Sequence, residues 1–191
     1  MRFVLARHGQ TDWNRELRIQ GQTDVPLNDT GRVQAKAIAA FCADEGIARI
    51  CTSDLRRAAE TGAIIGEMLR VPTRTDRRLR EASFGSLEGL TWEDIPRRHG
   101  ITRIQMKVDE WDFREFGGED FHAVTDRTFA FLRELEEDAP EGTCLVISHG
   151  RTIWTLLRQL HLAVEFGVPQ GLVFMVEYRG GVATLISTTH L

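Results

Sequence analysis

The apolar run Phe3-Val4-Leu5-Ala6 stops abruptly at Arg7-His8-Gly9, and the same design returns far downstream as Leu145-Val146-Ile147-Ser148-His149-Gly150. Short apolar runs bounded by turn residues read as buried strands, and strands buried on both faces belong to sheets covered by helices. In open α/β sheets ligands sit beyond the carboxyl ends of the strands. Both His-Gly ends are therefore expected at one edge of one sheet. Glycine there lets the backbone come close to a ligand, and the N–H groups of a following helix favour an anion. Two imidazoles with Arg7 beside them suit a phosphate group.

The rest of the chain agrees with such a sheet. Strand patterns occur at 2–6, 48–52, 143–148, 172–178 and 182–187. The last two flank Gly180-Gly181, a signal for a two-residue hairpin turn. Helical periodicity covers 30–45, 55–69, 124–137 and 153–160. Strands alternating with helices predict a layered α/β fold with a mainly parallel sheet and a hairpin at one edge. The expected architecture is a three-layer α/β/α sandwich with a mainly parallel mixed sheet and a cap insertion, spanning 1–191 as one domain.

The chain has 191 residues, enough to bury a sizeable core. Its formal charge of −4 argues against bulk binding to nucleic acid or anionic membrane. A small anionic substrate stays compatible, because an Arg-lined cleft is locally positive in an acidic protein. Cys42, Cys51 and Cys144 are an odd set without paired spacing, so they read as small buried hydrophobes rather than a disulfide or zinc framework. No secretory signal precedes the first strand, and apolar runs such as 172–176 fall far short of the roughly 20 residues that span a bilayer. A cytoplasmic location is expected.

Residues 86–122 break the rhythm. They mix Trp92, Trp111, Phe113, Phe116 and Phe121 with Arg97, Arg98, His99, Arg103, Lys107 and Arg114. Such a segment fits a cap over a site or, equally, a helical excursion packed at the sheet edge with a solvated charged face. Between strand 48–52 and the next helix, Ser53-Asp54-Leu55-Arg56-Arg57 brings two more cations to the same edge, one facing the site and one solvent. Leu79-Arg80-Glu81 places a carboxyl among apolar residues, where an ion pair with Arg80 is the plain alternative.

These blocks together resemble the histidine phosphatase superfamily, the phosphoglycerate-mutase-like proteins. Leu5-Ala6-Arg7-His8-Gly9-Gln10-Thr11-Asp12-Trp13-Asn14 is similar to the signature around its nucleophilic His, and 18–31 continue it. Ser53-Asp54-Leu55-Arg56-Arg57-Ala58 is similar to the segment of the second phosphate-binding Arg, in a register that selects Arg57. Leu79-Arg80-Glu81 with Phe84-Gly85 resembles the segment of the proton-donating Glu, Gly117-Gly118-Glu119 the Gly-Gly-Glu before a helix, and Ser148-His149-Gly150 the second His. Gln10 stands where Glu is often found, and Arg151 where many relatives carry Gly or Asn.

The resemblance implies a phosphomonoesterase acting on small phosphorylated metabolites. His8 attacks phosphorus and becomes a phosphohistidine; Glu81 protonates the leaving oxygen and later takes a proton from water; His149 assists. Arg7, Asn14, Arg57 and Gly150 bind the phosphoryl group, with neither metal nor cofactor required. The candidates for substrate specificity are Gln20, Gly21, Arg97, Arg98, Arg103, Trp111 and Arg151, the last as a rim cation or as a solvent-facing residue. The rival readings are a phosphoglycerate-type phosphomutase and a non-catalytic phosphate-ester binding module. A metal site built from His8, His149 and Glu81 is disfavoured, since Arg7 would repel a cation. The hairpin offers an edge through which two copies could pair as a homodimer.

Overall fold

The computed structural model describes residues 1–100, 111–138, 142–162 and 167–191. Its strands are β1 (Arg2–Arg7), β2 (Ile47–Thr52), β3 (Thr73–Thr75), β4 (Thr143–Ser148), β5 (Leu172–Arg179) and β6 (Val182–His190). They form one sheet in the order β3-β2-β4-β1-β5-β6. The first four are parallel, β5 runs antiparallel to its neighbour β1, and β6 pairs antiparallel with β5 at the sheet edge. Gly180 and Gly181 turn the β5–β6 hairpin with φ of 57° and 84°, which glycine adopts without strain.

The helices are α1 (Asp12–Arg15), α2 (Asp29–Cys42), α3 (Arg56–Leu69), α4 (Asp94–His99), α5 (Phe121–Asp138) and α6 (Gly150–Gln159). Alternation along the strands assigns them to two layers. Val4 and Ala6 of β1 and Leu145 and Ile147 of β4 pack with Ile38 and Ala39 of α2 and Ala58 and Ile65 of α3. Phe3, Leu5, Cys144 and Val146 point the other way, onto Phe131, Leu132 and Leu135 of α5 and Ile153 and Leu157 of α6. The result is the α/β/α sandwich. The three cysteines are free and buried, with Cys51 and Cys144 3.8 Å apart between Sγ atoms.

Several boundaries differ from the sequence reading. Strand β1 includes Arg7, because its ladder with β4 runs on to the pair Arg7–Ser148. Helix α2 spans one residue more at its start, where the Asn28 side chain accepts from the Gly31 N–H at 2.9 Å, and it ends at Cys42 rather than 45. Helix α5 begins at Phe121, three residues early, with Asp120 accepting from the Ala123 N–H at 2.8 Å. Helix α6 begins at Gly150, before its apolar periodicity starts. Strand β3 carried no apolar signal, since Thr73, Arg74 and Thr75 are all exposed at the sheet edge.

Within 86–122, the described residues take different places. Leu87, Ile95, Trp111, Phe113 and Phe121 join the core layer of α5 and α6, whereas Trp92 faces the cavity discussed below. Arg103 and Lys107 lie outside the described residues. No helix among the described residues is long and apolar enough to cross a membrane.

Candidate active site

The parallel register of β1 and β4 makes the site. Arg7 pairs with Ser148, and the His8 N–H extends the ladder to the Ser148 carbonyl at 3.0 Å. The next residues, His8 and His149, are thereby neighbours with ring centroids 5.0 Å apart. The Ser53 N–H bonds the Ile147 carbonyl at 3.0 Å, which brings the start of α3 to the same edge. The Ser148 hydroxyl donates to the Leu79 carbonyl at 2.8 Å, anchoring the segment that carries Glu81. Glycine is needed at position 9, where chains cross, and leaves clearance at position 150. A Cβ on Gly9 would lie 2.3 Å from the Gly31 carbonyl oxygen, and one on Gly150 only 3.3 Å from the Arg7 guanidinium.

His8 is buried and oriented. Its Nδ1 lies 2.7 Å from the Gly9 carbonyl oxygen, so Nδ1 carries the hydrogen and Nε2 keeps its lone pair. Arg57 Nε lies 3.3 Å from that Nε2. Burial first, then the charges of Arg57 and Arg7, push the His8 proton affinity well below that of an ordinary imidazole. His149 is shifted in the same direction, by burial and then by Arg57, His8 and Arg7. Neither ring nitrogen of His149 has a partner among the described residues.

Arg57 is fully buried, and its guanidinium is braced by the carbonyls of Thr23 at 2.9 Å and Gly21 at 2.6 Å. Burial lowers its pKa to about 10, which leaves it cationic at neutrality. Arg56 is exposed, its backbone N–H held by Asp24. Arg7 donates to the Val168 carbonyl at 2.6 Å, and burial, opposed by the Glu81 charge, lowers its pKa. Asn14 Oδ1 closes a capping box with the Thr11 N–H and hydroxyl, both at 3.0 Å. Glu81 is buried, and it is not paired with Arg80, which bonds Asp54 at 2.6 Å instead.

These groups line a cavity of about 410 Å³. Arg7, His8, Asn14, Gly21, Arg57 and Glu81 give it a polar lining, and Leu17, Ile19, Phe84, Trp92 and Pro169 an apolar one. Gln20 and Gln170 also line it, each with one buried amide atom lacking a partner among the described residues, Oε1 and Nε2 respectively. A smaller adjoining pocket of about 150 Å³ shares Arg7 and Glu81 and adds Gly150 and Arg151. Among the described residues no group of three or more His, Cys, Asp or Glu side chains is placed to hold a metal ion.

The candidate specificity residues divide. Arg151 is buried rather than solvent-facing, with its guanidinium 5.1–5.4 Å from the ring centres of Trp111, Phe113 and Phe84. Burial lowers its pKa to about 10. Trp111 is buried beneath that guanidinium and stacked on Phe113 at 5.2 Å, and it does not line the cavity. Arg97 is 68% exposed and paired with Asp94 at 3.2 Å, and Arg98 is also exposed; neither lines the cavity. The sequence reading missed Gln170 and Pro169, which precede β5 with no chemical motif. It also missed Thr61, whose hydroxyl accepts from the Gly9 N–H at 3.1 Å and donates to the Arg57 carbonyl at 2.7 Å. A polar residue one turn after Arg57 in an amphipathic helix was the available signal.

The depressed imidazoles make stability pH-dependent. In the unfolded chain each titrates near pH ~6.5, so below that pH the unfolded state binds protons that folded His8 and His149 refuse. Their contribution is present above pH ~6.5 and lost as the pH falls, at about 1.4 kcal/mol per pH unit for each imidazole. Urea unfolding between pH 6.5 and roughly 5, above the ordinary carboxylate range, should show this slope. His149→Asn should reduce it by about half.

A family model for the histidine phosphatase superfamily (branch 1) matches residues 3–186. The chain belongs to that superfamily. It is 33% identical to the uncharacterized phosphatase PhoE of Bacillus subtilis (strain 168) over 156 residues, 82% of this chain and 75% of that protein. It is 35% identical to the probable phosphoglycerate mutase GpmB of Escherichia coli over 158 residues, 82% of this chain and 73% of that one. Among solved structures it is similar to a mycobacterial glucosyl-3-phosphoglycerate phosphatase complexed with VO3. That match has a TM-score of 0.88 and 30% identity, over 97% of both chains. Histidine phosphatase relatives thus share the whole layered fold, and those named include phosphatases and a probable mutase.

Proposed function

We propose that this histidine phosphatase relative is a phosphomonoesterase that hydrolyses small phosphorylated metabolites through a covalent phosphohistidine on His8. One observation carries the reading: a buried imidazole, kept neutral, with Nδ1 tied to the Gly9 carbonyl and Nε2 beside the Arg57 guanidinium. Nε2 attacks phosphorus in line while Arg7 and Arg57 neutralise the phosphoryl oxygens and the amide of Asn14 donates to them. His149 faces the same centre from β4. Glu81, which lines the same cavity, gives a proton to the leaving oxygen and then takes one from the water that cleaves the phosphohistidine. A cavity of about 410 Å³ suits a metabolite-sized ester.

The charge stabilisation in this scheme comes from guanidiniums, so hydrolysis of 4-nitrophenyl phosphate should persist in EDTA at an undiminished rate. Loss of turnover on chelation, restored by a divalent metal, would remove the scheme. Acid-labile phosphate on the protein during turnover is the second expected result. The name of the mutase relative supports a competing reading in which the phosphoryl group returns to another hydroxyl. Transfer of label from the phosphoenzyme to 3-phosphoglycerate faster than to water would favour that reading. A turnover screen over phosphorylated metabolites then ranks the leaving groups.

A further inference from the structure

Glu81 occupies the place of a missing helix cap. At the start of α6 the capping residue is His149, and its imidazole makes no capping hydrogen bond. The Glu81 carboxyl substitutes: Oε2 accepts from the Arg151 N–H at 3.3 Å and Oε1 from the Thr152 N–H at 3.1 Å. Oε1 also accepts from the Ala82 N–H at 3.0 Å and lies 3.1 Å from the Thr152 hydroxyl oxygen. That hydroxyl has a second acceptor in reach, the Arg80 carbonyl oxygen at 2.8 Å. Thr152 is buried, and a hydroxyl owns a single hydrogen, so it serves one of these two acceptors at a time.

We propose that Thr152 is a positioning residue for Glu81, its hydroxyl hydrogen turning to Oε1 when the carboxyl is ionised and to the Arg80 carbonyl when it is protonated. The proposal rests on the acid–base role given to Glu81 above. Oε1 is thereby anchored in both states, and the proton is given and taken at Oε2, whose hydrogen bond from the Arg151 N–H is the longer one at 3.3 Å. In the first step the P–O bond to the leaving group breaks as the His8 N–P bond forms, and the Oε2 proton passes to the leaving oxygen. In the second, water oxygen bonds phosphorus, the N–P bond breaks, and Oε2 takes a water proton.

The other charged groups around Glu81 stay the same when Thr152 changes. Arg7, Arg57 and Arg151 attract its negative charge. From α5, Arg127 donates to the Glu81 carbonyl at 3.1 Å and pairs with Glu119. Arg80 is turned to Asp54, and both imidazoles are held neutral. A substitution at Thr152 therefore isolates the hydroxyl.

The test compares pH profiles of kcat/KM for phenyl phosphate, whose leaving oxygen needs a proton, in wild type, Thr152→Val and Thr152→Ser. A donor on Oε1 favours the ionised carboxyl, so without it Glu81 keeps its proton to higher pH. The alkaline limb of Thr152→Val should move up by about one pH unit. Phosphoenzyme hydrolysis, which needs the carboxylate, should slow by up to about tenfold. Thr152→Ser should match wild type in both. Thr152→Ala, the second hydroxyl-free variant, should move the limb in the same direction and serves if Thr152→Val does not fold. A uniform loss of activity with the limb unmoved, or a serine variant that behaves like valine, overturns the proposal and leaves the phosphatase reading standing. A wild-type protein without turnover overturns both.

Discussion

His8→Ala should lose hydrolysis of 4-nitrophenyl phosphate by at least about four orders of magnitude, the scale on which removal of a nucleophile acts. It should also lose all acid-labile phosphate from the protein. The structure supplies no understudy. His149 has its ring centroid 5.0 Å from that of His8, but among the described residues its nitrogens have no backbone partner that orients a lone pair as Gly9 orients His8. The variant should remain folded, because the strand ladder at this position uses the backbone N–H to Ser148, which alanine retains. Initial rates and phosphoenzyme trapping on the same preparation check both outcomes. An alanine variant that still turns over, or still traps phosphate, means that His8 is not the nucleophile.

Arg57→Met should cost about three orders of magnitude in kcat/KM, the upper range for one preorganised donor at a developing charge. The same change tests two further links. The buried Gly21 carbonyl loses its partner, whereas the Thr23 carbonyl keeps the Val25 N–H; a buried unpaired polar group costs about 1–3 kcal/mol, so the chemical-denaturation midpoint should fall. Arg57 is also the charge that most disfavours a proton on His8. Its removal raises the proton affinity of His8, so the acid limb of kcat/KM should move to higher pH. Arg57→Lys should recover little, since a point charge cannot brace two carbonyls and His8 at once. A variant that loses stability while keeping its rate and its acid limb would make Arg57 structural only.

Much of this architecture was legible in the sequence because the signals are local. The runs Phe3–Ala6 and Leu145–Ile147 announce buried strands, and the Gly180-Gly181 pair announces the hairpin that closes the sheet. Matched His-Gly ends on such strands point to one edge, as the parallel pairing of Arg7 with Ser148 shows. Strand β3 was invisible because its three residues are exposed and gain their order only from pairing with β2. Arg151 was ambiguous for a related reason. Whether a cation in the first turn of a helix meets water or aromatic rings depends on where Trp111 and Phe113 come to rest.

The sequence by itself determined the chemistry on offer: a His beside an Arg at the end of a buried strand, a second His in a matching frame, and an ordered set of segments that resemble one superfamily. Tertiary structure decided what those groups become. Burial together with two guanidiniums makes His8 a neutral base rather than a cation. The bond from Nδ1 to the Gly9 carbonyl selects Nε2 as the nitrogen that keeps its lone pair. Contact with the start of α6 makes Glu81 a capped carboxyl rather than the partner of Arg80. Proton affinity and orientation depend on desolvation and on neighbours distant in the chain, and those exist only once the sheet has brought them together.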